Sequence, residues 1–251
     1  MDVKRIHRNE VTSTNTYVKE LLNEGIELPD LTVVEAEYQT GGRGQQGNSW
    51  ESERGKNLTF SFVCHPTFLE ATHQFVLSQA IAVAVYRTLS DLTDGISIKW
   101  PNDIYWNNRK ICGILIECNL MGSTIKDCII GTGININQTE FRSDAPNPVS
   151  LAQITGFTFN RQYILDGVVQ QFKELYEKLK ETPRPPLGGE PLKSEYMQHL
   201  YRREGFYQYQ EPKGEPFEAA IEDVETMGHL VLRRCDGSLR KYEFKEIKYI
   251  L

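Results

Sequence analysis

The stretch from Lys99 to Gly113, Lys-Trp-Pro-Asn-Asp-Ile-Tyr-Trp-Asn-Asn-Arg-Lys-Ile-Cys-Gly, constrains this chain more than any other. Ile96 to Trp100 predicts a short strand, which Pro101 ends because proline has no N–H to give to a ladder. Tyr105 and Trp106 resume an extended run. Asn107-Asn108 supplies the positive-φ positions of a tight hairpin, and Lys110 to Cys118 returns as the next strand. Lys99, Asn102, Asp103 and Lys110 are thereby predicted near one end of a sheet.

Lys110 stands in a strand beside Ile111, Ile114 and Ile116, and two readings of it are open. It points outward from an antiparallel edge, the commoner fate of a strand lysine, or it is a cation at the lip of a pocket. Asp103 and Asn102 favour the second. A carboxylate and an amide beside two ammonium groups suit a phosphate with its Mg²⁺.

With 251 residues the chain has room for one larger and one small domain, predicted over 1–204 and 205–251. A net charge of −6 argues against a general nucleic-acid binder, though not against binding a single nucleotide. No apolar run has membrane-spanning length and no signal-peptide core is present, so the expected location is the cytoplasm. The five cysteines (Cys64, Cys112, Cys118, Cys128, Cys235) include no C-x-x-C pair and read as small buried thiols in a reducing compartment. The five histidines are dispersed and receive no chemical role.

Ser13-Thr14-Asn15 opens an amphipathic helix over 16–24, with Gly25 as its stop. These three residues either cap the helix or hydrogen-bond a small polar ligand. A strand over 32–38 runs into Gln39-Thr40-Gly41-Gly42-Arg43-Gly44-Gln45-Gln46-Gly47. Its glycines free the backbone so that successive N–H groups can converge on an anion beside the Arg43 guanidinium, with Trp50 to fold over. A flexible surface loop is the alternative. The loop matches neither a Walker A nor a dinucleotide fingerprint.

Asn57 to Cys64 alternates as a strand, and a long helix is predicted from about Glu70 to Leu92. Asp127 to Asn137 reads as a strand in which Gly131 and Gly133 mark a close approach of backbone or ligand. Asn135 and Asn137 fall on one face of it. Asp144 to Pro148 reads as a loop, followed by a short helix capped by Ser150 and ending near Gly156. A strong helix covers 161–181, a proline-rich break 183–191, and a last helix about 192–203. From Gly205 short strands turn at Lys213-Gly214, Met227-Gly228 and Asp236-Gly237, the texture of a small β-barrel.

Taken together, Ser-Thr-Asn, the Gln39–Gly47 loop with Trp50, Lys-Trp-Pro-Asn-Asp, Arg-Lys-Ile-Cys-Gly-Ile-Leu-Ile-Glu and Gly-Thr-Gly-Ile-Asn-Ile-Asn closely resemble the biotin protein ligases (biotin–[acetyl-CoA-carboxylase] ligases). Order and spacing agree from about residue 9 to 155. The resemblance implies an α+β fold, a central mixed β-sheet flanked by helices as in class II aminoacyl-tRNA synthetases, with a small C-terminal SH3-like β-barrel. It implies ATP-dependent biotinylation of a lysine on a biotin carboxyl carrier protein through biotinyl-5′-AMP, with Mg²⁺.

By the same resemblance Lys110, Arg43 and Asp103 form the catalytic set. Ser13, Thr14, Asn15, Gln39, Gly42, Arg43, Gly44, Gln45, Lys110 and Gly113 are the biotin side, Gly113 leaving room beside the ligand. Arg43, Trp50, Lys99, Asn102, Lys110 and Asn135 are the ATP side, and Asp103 is the Mg²⁺ ligand. Relatives often carry arginine where Gln45 stands, so a weaker hold on the adenylate is expected. Only a dozen residues precede Ser-Thr-Asn, so no DNA-reading segment is expected, and the chain is expected as a monomer or weak homodimer. A lipoate-type ligase and a catalytically silent biotin-binding module are the rival readings. In the C-terminal module Tyr207, Glu211, Lys213, Lys241 and Lys245 are surface candidates.

Overall fold

Alternation along Leu58–Cys64 divides the molecule into layers. In a computed structural model describing residues 3–45, 47–143, 146–181 and 189–250, this segment is strand β3 of a seven-stranded sheet. The others are β1 (Arg5–Arg8), β2 (Thr32–Ala36), β4 (Ile96–Lys99), β5 (Asp103–Trp106), β6 (Arg109–Met121) and β7 (Thr124–Ile134), in the order β1-β2-β3-β7-β6-β5-β4. β1 runs parallel to β2 and the remaining neighbours pair antiparallel, so the sheet is mixed.

Period-two alternation sends Phe60, Phe62 and Cys64 into the main core and Val63 into a smaller one. The main core lies under α2 (Phe75–Ser90) and α4 (Arg161–Glu181), where Phe62 packs on Phe172 with ring centroids 4.5 Å apart. α4 buries Ile164, Leu165, Val168, Val169, Phe172, Leu175, Tyr176 and Leu179 in the helical spacing predicted for it. On the opposite face, α1 (Thr14–Asn23) covers β3 and β7, joining Val18 to Val34, Val63 and Ile129. This second face, only partly covered by α1, holds the functional site.

A second, five-stranded antiparallel sheet is built from β8 (Tyr207–Gln210), β9 (Phe217–Val224), β10 (Leu230–Arg234), β11 (Leu239–Tyr242) and β12 (Lys248–Tyr249), in the order β11-β10-β9-β8-β12. It is tied to the end of β4 by Trp100 Nε1, which donates to Gly228 O at 2.8 Å, and to the segment after residue 198 by Arg203, which donates to Ile221 O at 2.6 Å. The turns at Gly228 and Gly237 have the positive φ that their glycines permit.

Several expectations are corrected. β1 was not foreseen, because its Arg-Ile-His-Arg is mostly exposed and carries no apolar alternation. The helix expected from Glu70 begins as a 3₁₀ turn at Ala71–His73 and becomes α-helical only at Phe75. The last large-domain helix, α5, is Gly189–Gln198, so Pro191 sits in its first turn, where a missing N–H costs nothing. Of the proline-rich break, 183–188 lie outside the described residues, as do Asp144 and Ala145 of the loop before Pro148. Cys235 is exposed and Cys118 half-buried, against the expectation of five buried thiols. The sheet edge at β4 is paired, with Ile98 N donating to His199 O and Tyr201 N to Ile98 O. Among the described residues no helix is long and apolar enough to cross a membrane.

Phe172 is fully buried between Phe62 and Tyr176. Phe172→Ala is expected to lower unfolding free energy by about 3–5 kcal/mol. A urea titration checks this, and a loss below 1 kcal/mol would mean that α4 is not seated as described.

Candidate active site

Lys110 owes its position to one extra residue. Along β5 and β6, Asp103 pairs with Gly113 and Ile104 with Cys112, but Tyr105 pairs with Lys110, leaving Ile111 unopposed. In a regular strand Lys110 and Gly113, three residues apart, would face opposite sides. The bulge at Ile111 removes that difference and turns Lys110 onto the face of Gly113 and Asp103. The Lys110 ammonium lies 2.7 Å from Asp103 Oδ1, a close ionic contact. The Lys110 backbone pairs with the segment after the next loop: it donates to Asn147 O and accepts from Val149 N, both at 2.9 Å.

The floor beside Lys110 is glycine. Gly113 and Gly133 are register partners on β6 and β7, and Gly131 lies two residues further along. The close approach expected at Gly131 and Gly133 is made by the protein's own side chains. A Cβ at Gly133 would overlap the Trp50 indole, and one at Gly131 would overlap the Asn15 amide. At Gly113 a Cβ would stand 2.9 Å from Trp50 Cζ3 and 3.3 Å from Lys110 Nζ, so the space there serves Trp50 and Lys110. Trp50 therefore lies flat over the glycine floor, its Nε1 buried without a partner.

The residues that line the site at the start of α1, Ser13, Thr14 and Asn15, are polar and uncharged. Ser13 caps α1, accepting from Thr16 N, so the capping reading holds for it. Thr14 and Asn15 stand inside the first turn, earlier than the start predicted for the helix. Thr14 N donates to Gln39 Oε1 at 2.8 Å, and Ser61 Oγ is 2.7 Å from both Thr14 Oγ1 and Asn15 Oδ1. Ser61 was not foreseen; only its register opposite Gly131 places it here.

The other end is cationic. Lys99 pairs in register with Asp103, and its ammonium lies 4.9 Å from the Tyr105 ring and 4.8 Å from the Tyr249 ring. Burial pushes its pKa down, Asp103 opposes that, and the neighbouring Lys110 and Arg202 add to it. Tyr249 comes from the small sheet, a contribution no local sequence signal announced. From Ser61 on β3 to Lys99 on β4 the face crosses four strand spacings, about 19 Å.

Two loops wall this face. In the glycine loop, Arg43 Nη2 is 3.1 Å from Glu117 Oε2. Gln45 Oε1 is buried without a partner. Gly42 lies at the base, its carbonyl accepting from Trp50 N at 2.9 Å. The second loop is organised by Glu51, which accepts from Arg142 N and Ser143 N at 2.9 and 2.7 Å and from Gln138 Nε2 at 3.1 Å. Burial raises the Glu51 pKa, but these hydrogen bonds more than offset it and hold the carboxyl below its usual range.

Asn102 faces the site but spends its amide on Ile114 O at 2.6 Å. Asn135 and Asn137 lie past the end of β7 and separate. Asn135 donates to Val149 O and leaves Oδ1 unpartnered, whereas Asn137 brackets the Phe159 backbone.

The result is one cavity of about 1160 Å³, large enough for a ligand of dinucleotide size. Every expected site residue lines it except Gly42, which borders a smaller cavity behind the loop. Lys245 is the one C-terminal surface candidate that reaches it; Gln210, Phe244, Lys248 and Tyr249 line it unforeseen. Glu211 instead gathers Arg234, Arg240 and Tyr242 within the small sheet. The described residues contain no group of three or more acidic, histidine or cysteine side chains able to hold a metal. Asp103 belongs to no such group, which fits a Mg²⁺ held chiefly by a polyphosphate and water rather than by the protein. Gly133→Ala should displace Trp50 without unfolding the sheet. In ¹⁵N-indole NMR the Trp50 Nε1–H signal, identified by its loss in Trp50→Phe, should shift while those of Trp100 and Trp106 stay; an unmoved Trp50 signal would contradict this packing.

Comparison with known proteins agrees with this geometry. Residues 9–135 match the model of the biotin/lipoate A/B protein ligase family. The bifunctional ligase/repressor BirA of Bacillus subtilis (strain 168) is 33% identical over 179 residues, covering 68% of this chain and 53% of that protein. The biotin--[acetyl-CoA-carboxylase] ligase of Paracoccus denitrificans is 27% identical over 221 residues, covering 81% of this chain and 85% of that protein. Among solved structures, biotin protein ligase from Aquifex aeolicus in complex with biotin and ATP superposes with a TM-score of 0.79 at 25% identity, covering 98% of this chain and 99% of that one. The chain spans about half the length of the bifunctional relatives it matches. The α+β fold, a mixed sheet with helices and a C-terminal antiparallel sheet, is that of these ligases, and the chain belongs to the biotin/lipoate A/B protein ligase family.

Proposed function

We propose that this chain is an ATP-dependent biotin–[acetyl-CoA-carboxylase] ligase, acting on a lysine of a biotin carboxyl carrier protein. In the first step a biotin carboxylate oxygen attacks the α-phosphorus of ATP. A P–O bond forms, the bond to the β-phosphate breaks, and pyrophosphate leaves biotinyl-5′-AMP behind. In the second step the ε-amine of the carrier lysine attacks the acyl carbon; the C–O bond to phosphate breaks, AMP departs, the amine nitrogen gives up one proton to solvent and an amide remains.

The observation that carries this reading is the shared cavity, which brings uncharged polar side chains of α1 together with the cations Arg43, Lys99 and Lys110 in a chain of net charge −6. Bringing a carboxylate onto a polyphosphate sets anion against anion, and fixed cations and N–H donors in a partly dry site offset that repulsion. Thr14, Asn15 and Gln39, with Ser13 at the helix cap beside them, suit the ureido ring, whose N–H and C=O groups need partners. Lys110 Nζ serves the carboxylate and α-phosphate. Lys99, Asn102 and Asn135 serve the nucleotide, with Trp50 as the floor between the halves. Gly42, Gly44 and Gln45 carry Arg43 over the ligand. Asp103 orients Lys110 and, in the second step, the incoming amine. When bound, Mg²⁺ would neutralise polyphosphate charge, with Asp103 as its protein ligand.

The boundaries 1–204 for a catalytic domain and 205–251 for an SH3-like domain belong to this proposal. So do a monomer or weak dimer and a cytoplasmic site of action. Tyr249 and Lys248 on the cavity wall support a role for the small domain at the nucleotide end.

The test is biotin-dependent ATP–pyrophosphate exchange, followed by transfer of labelled biotin to a carrier domain. Both should require ATP, and Lys110→Ala should slow exchange by about a hundred- to a thousandfold. Exchange supported by lipoate rather than biotin, or binding of biotin with no exchange, would overturn the proposal.

A further inference from the structure

Glu117 ends the segment Arg-Lys-Ile-Cys-Gly-Ile-Leu-Ile-Glu, and the chemistry proposed above gives it no role. Its carboxylate nevertheless gathers donors from three directions. Lys19 Nζ lies 2.6 Å from Oε1, Asn15 Nδ2 donates to Oε2 at 2.8 Å, and Arg43 Nη2 reaches Oε2 at 3.1 Å and Oε1 at 3.4 Å. The glycine loop, helix α1 and strand β6 meet at this one side chain.

The three contacts are not equivalent. Lys19 and Asn15 belong to a helix seated on the sheet, and theirs are the short contacts. Arg43 belongs to the loop, and its contacts are the longest. Were the guanidinium withdrawn, Glu117 would keep one full positive partner and one amide donor, so no uncompensated carboxylate would be left behind. The pair with Arg43 is exchangeable in a way the pair with Lys19 is not. Burial raises the pKa of Glu117, while Lys19, Asn15 and Arg43 together hold it below the usual carboxylate range.

Arg43 lines the main cavity and also the smaller one behind the loop, where Glu117 forms part of the wall. Its guanidinium presents a fork of donors that fits a carboxylate and a phosphate equally well. An anionic ligand entering the main cavity therefore competes with Glu117 for the same group.

We propose that Glu117 is a positioning residue that parks Arg43 behind the glycine loop and yields its guanidinium to the phosphoryl group of a bound acyl-adenylate. The same carboxylate keeps Asn15 turned toward Ser61 while the exchange occurs. This rests on the ligase reading for the identity of the ligand but not for the parking contact itself.

Two measurements on the full chain separate those parts. Without ligand, Glu117→Gln should raise hydrogen–deuterium exchange in peptides covering 41–50 at least several-fold and leave β7 unchanged. Equal exchange in parent and variant would overturn the parking contact, whether or not the protein is a ligase. With biotinyl-5′-AMP formed in place, Glu117→Gln should slow its release by about three- to tenfold, a gain that structural damage would not produce. The effect should vanish in an Arg43→Ala background. Faster release in Glu117→Gln, or slowing that survives loss of Arg43, would overturn the exchange. If the parent forms no adenylate, the ligase reading fails by itself and the exchange experiment still decides the resting contact.

Discussion

One unopposed residue, Ile111, decides which way Lys110 faces, and the rest of the site depends on that orientation. Without the bulge the lysine would point into the layer of Ile104 and Cys112, where burial without a partner would drive its charge off. With it, the ammonium stands over a glycine floor beside Asp103, and the lysine's own backbone anchors the segment after the second loop. A single irregularity in one strand thus sets a side chain and a loop together.

The glycine floor is the second constraint. Gly113 and Gly133 give no foothold for side chains, so the Trp50 indole lies against the sheet, and Gly131 does the same for the Asn15 amide. These contacts draw the glycine loop and the start of α1 down onto the strands.

Much of this was legible in the residues because punctuation is local. Pro101 and Asn107-Asn108 mark the hairpin, and the glycine loop and the α1 cap announce themselves by composition. The α4 face follows from its period. What was not legible depends on register and on distance along the chain. A bulge leaves no mark in a run of apolar residues. Ser61 and Glu117 acquire their meaning only once β3, β7 and β6 are laid side by side, and Tyr249 reaches Lys99 from another sheet. β1 escaped notice because an exposed, charged strand has no apolar face to betray it.

The ligase proposal requires that cations from the glycine loop and from strands β4 and β6 serve one anhydride. A crystal structure with a biotinyl-AMP analogue, its anhydride replaced by a non-hydrolysable linkage, tests this most directly. The account predicts Lys110 Nζ and the Arg43 guanidinium both within hydrogen-bonding distance of the linkage or its phosphate, with the ring of biotin at Thr14 and Gln39. A ligand bound with Arg43 still on Glu117 and Lys110 turned away from the phosphate would contradict it.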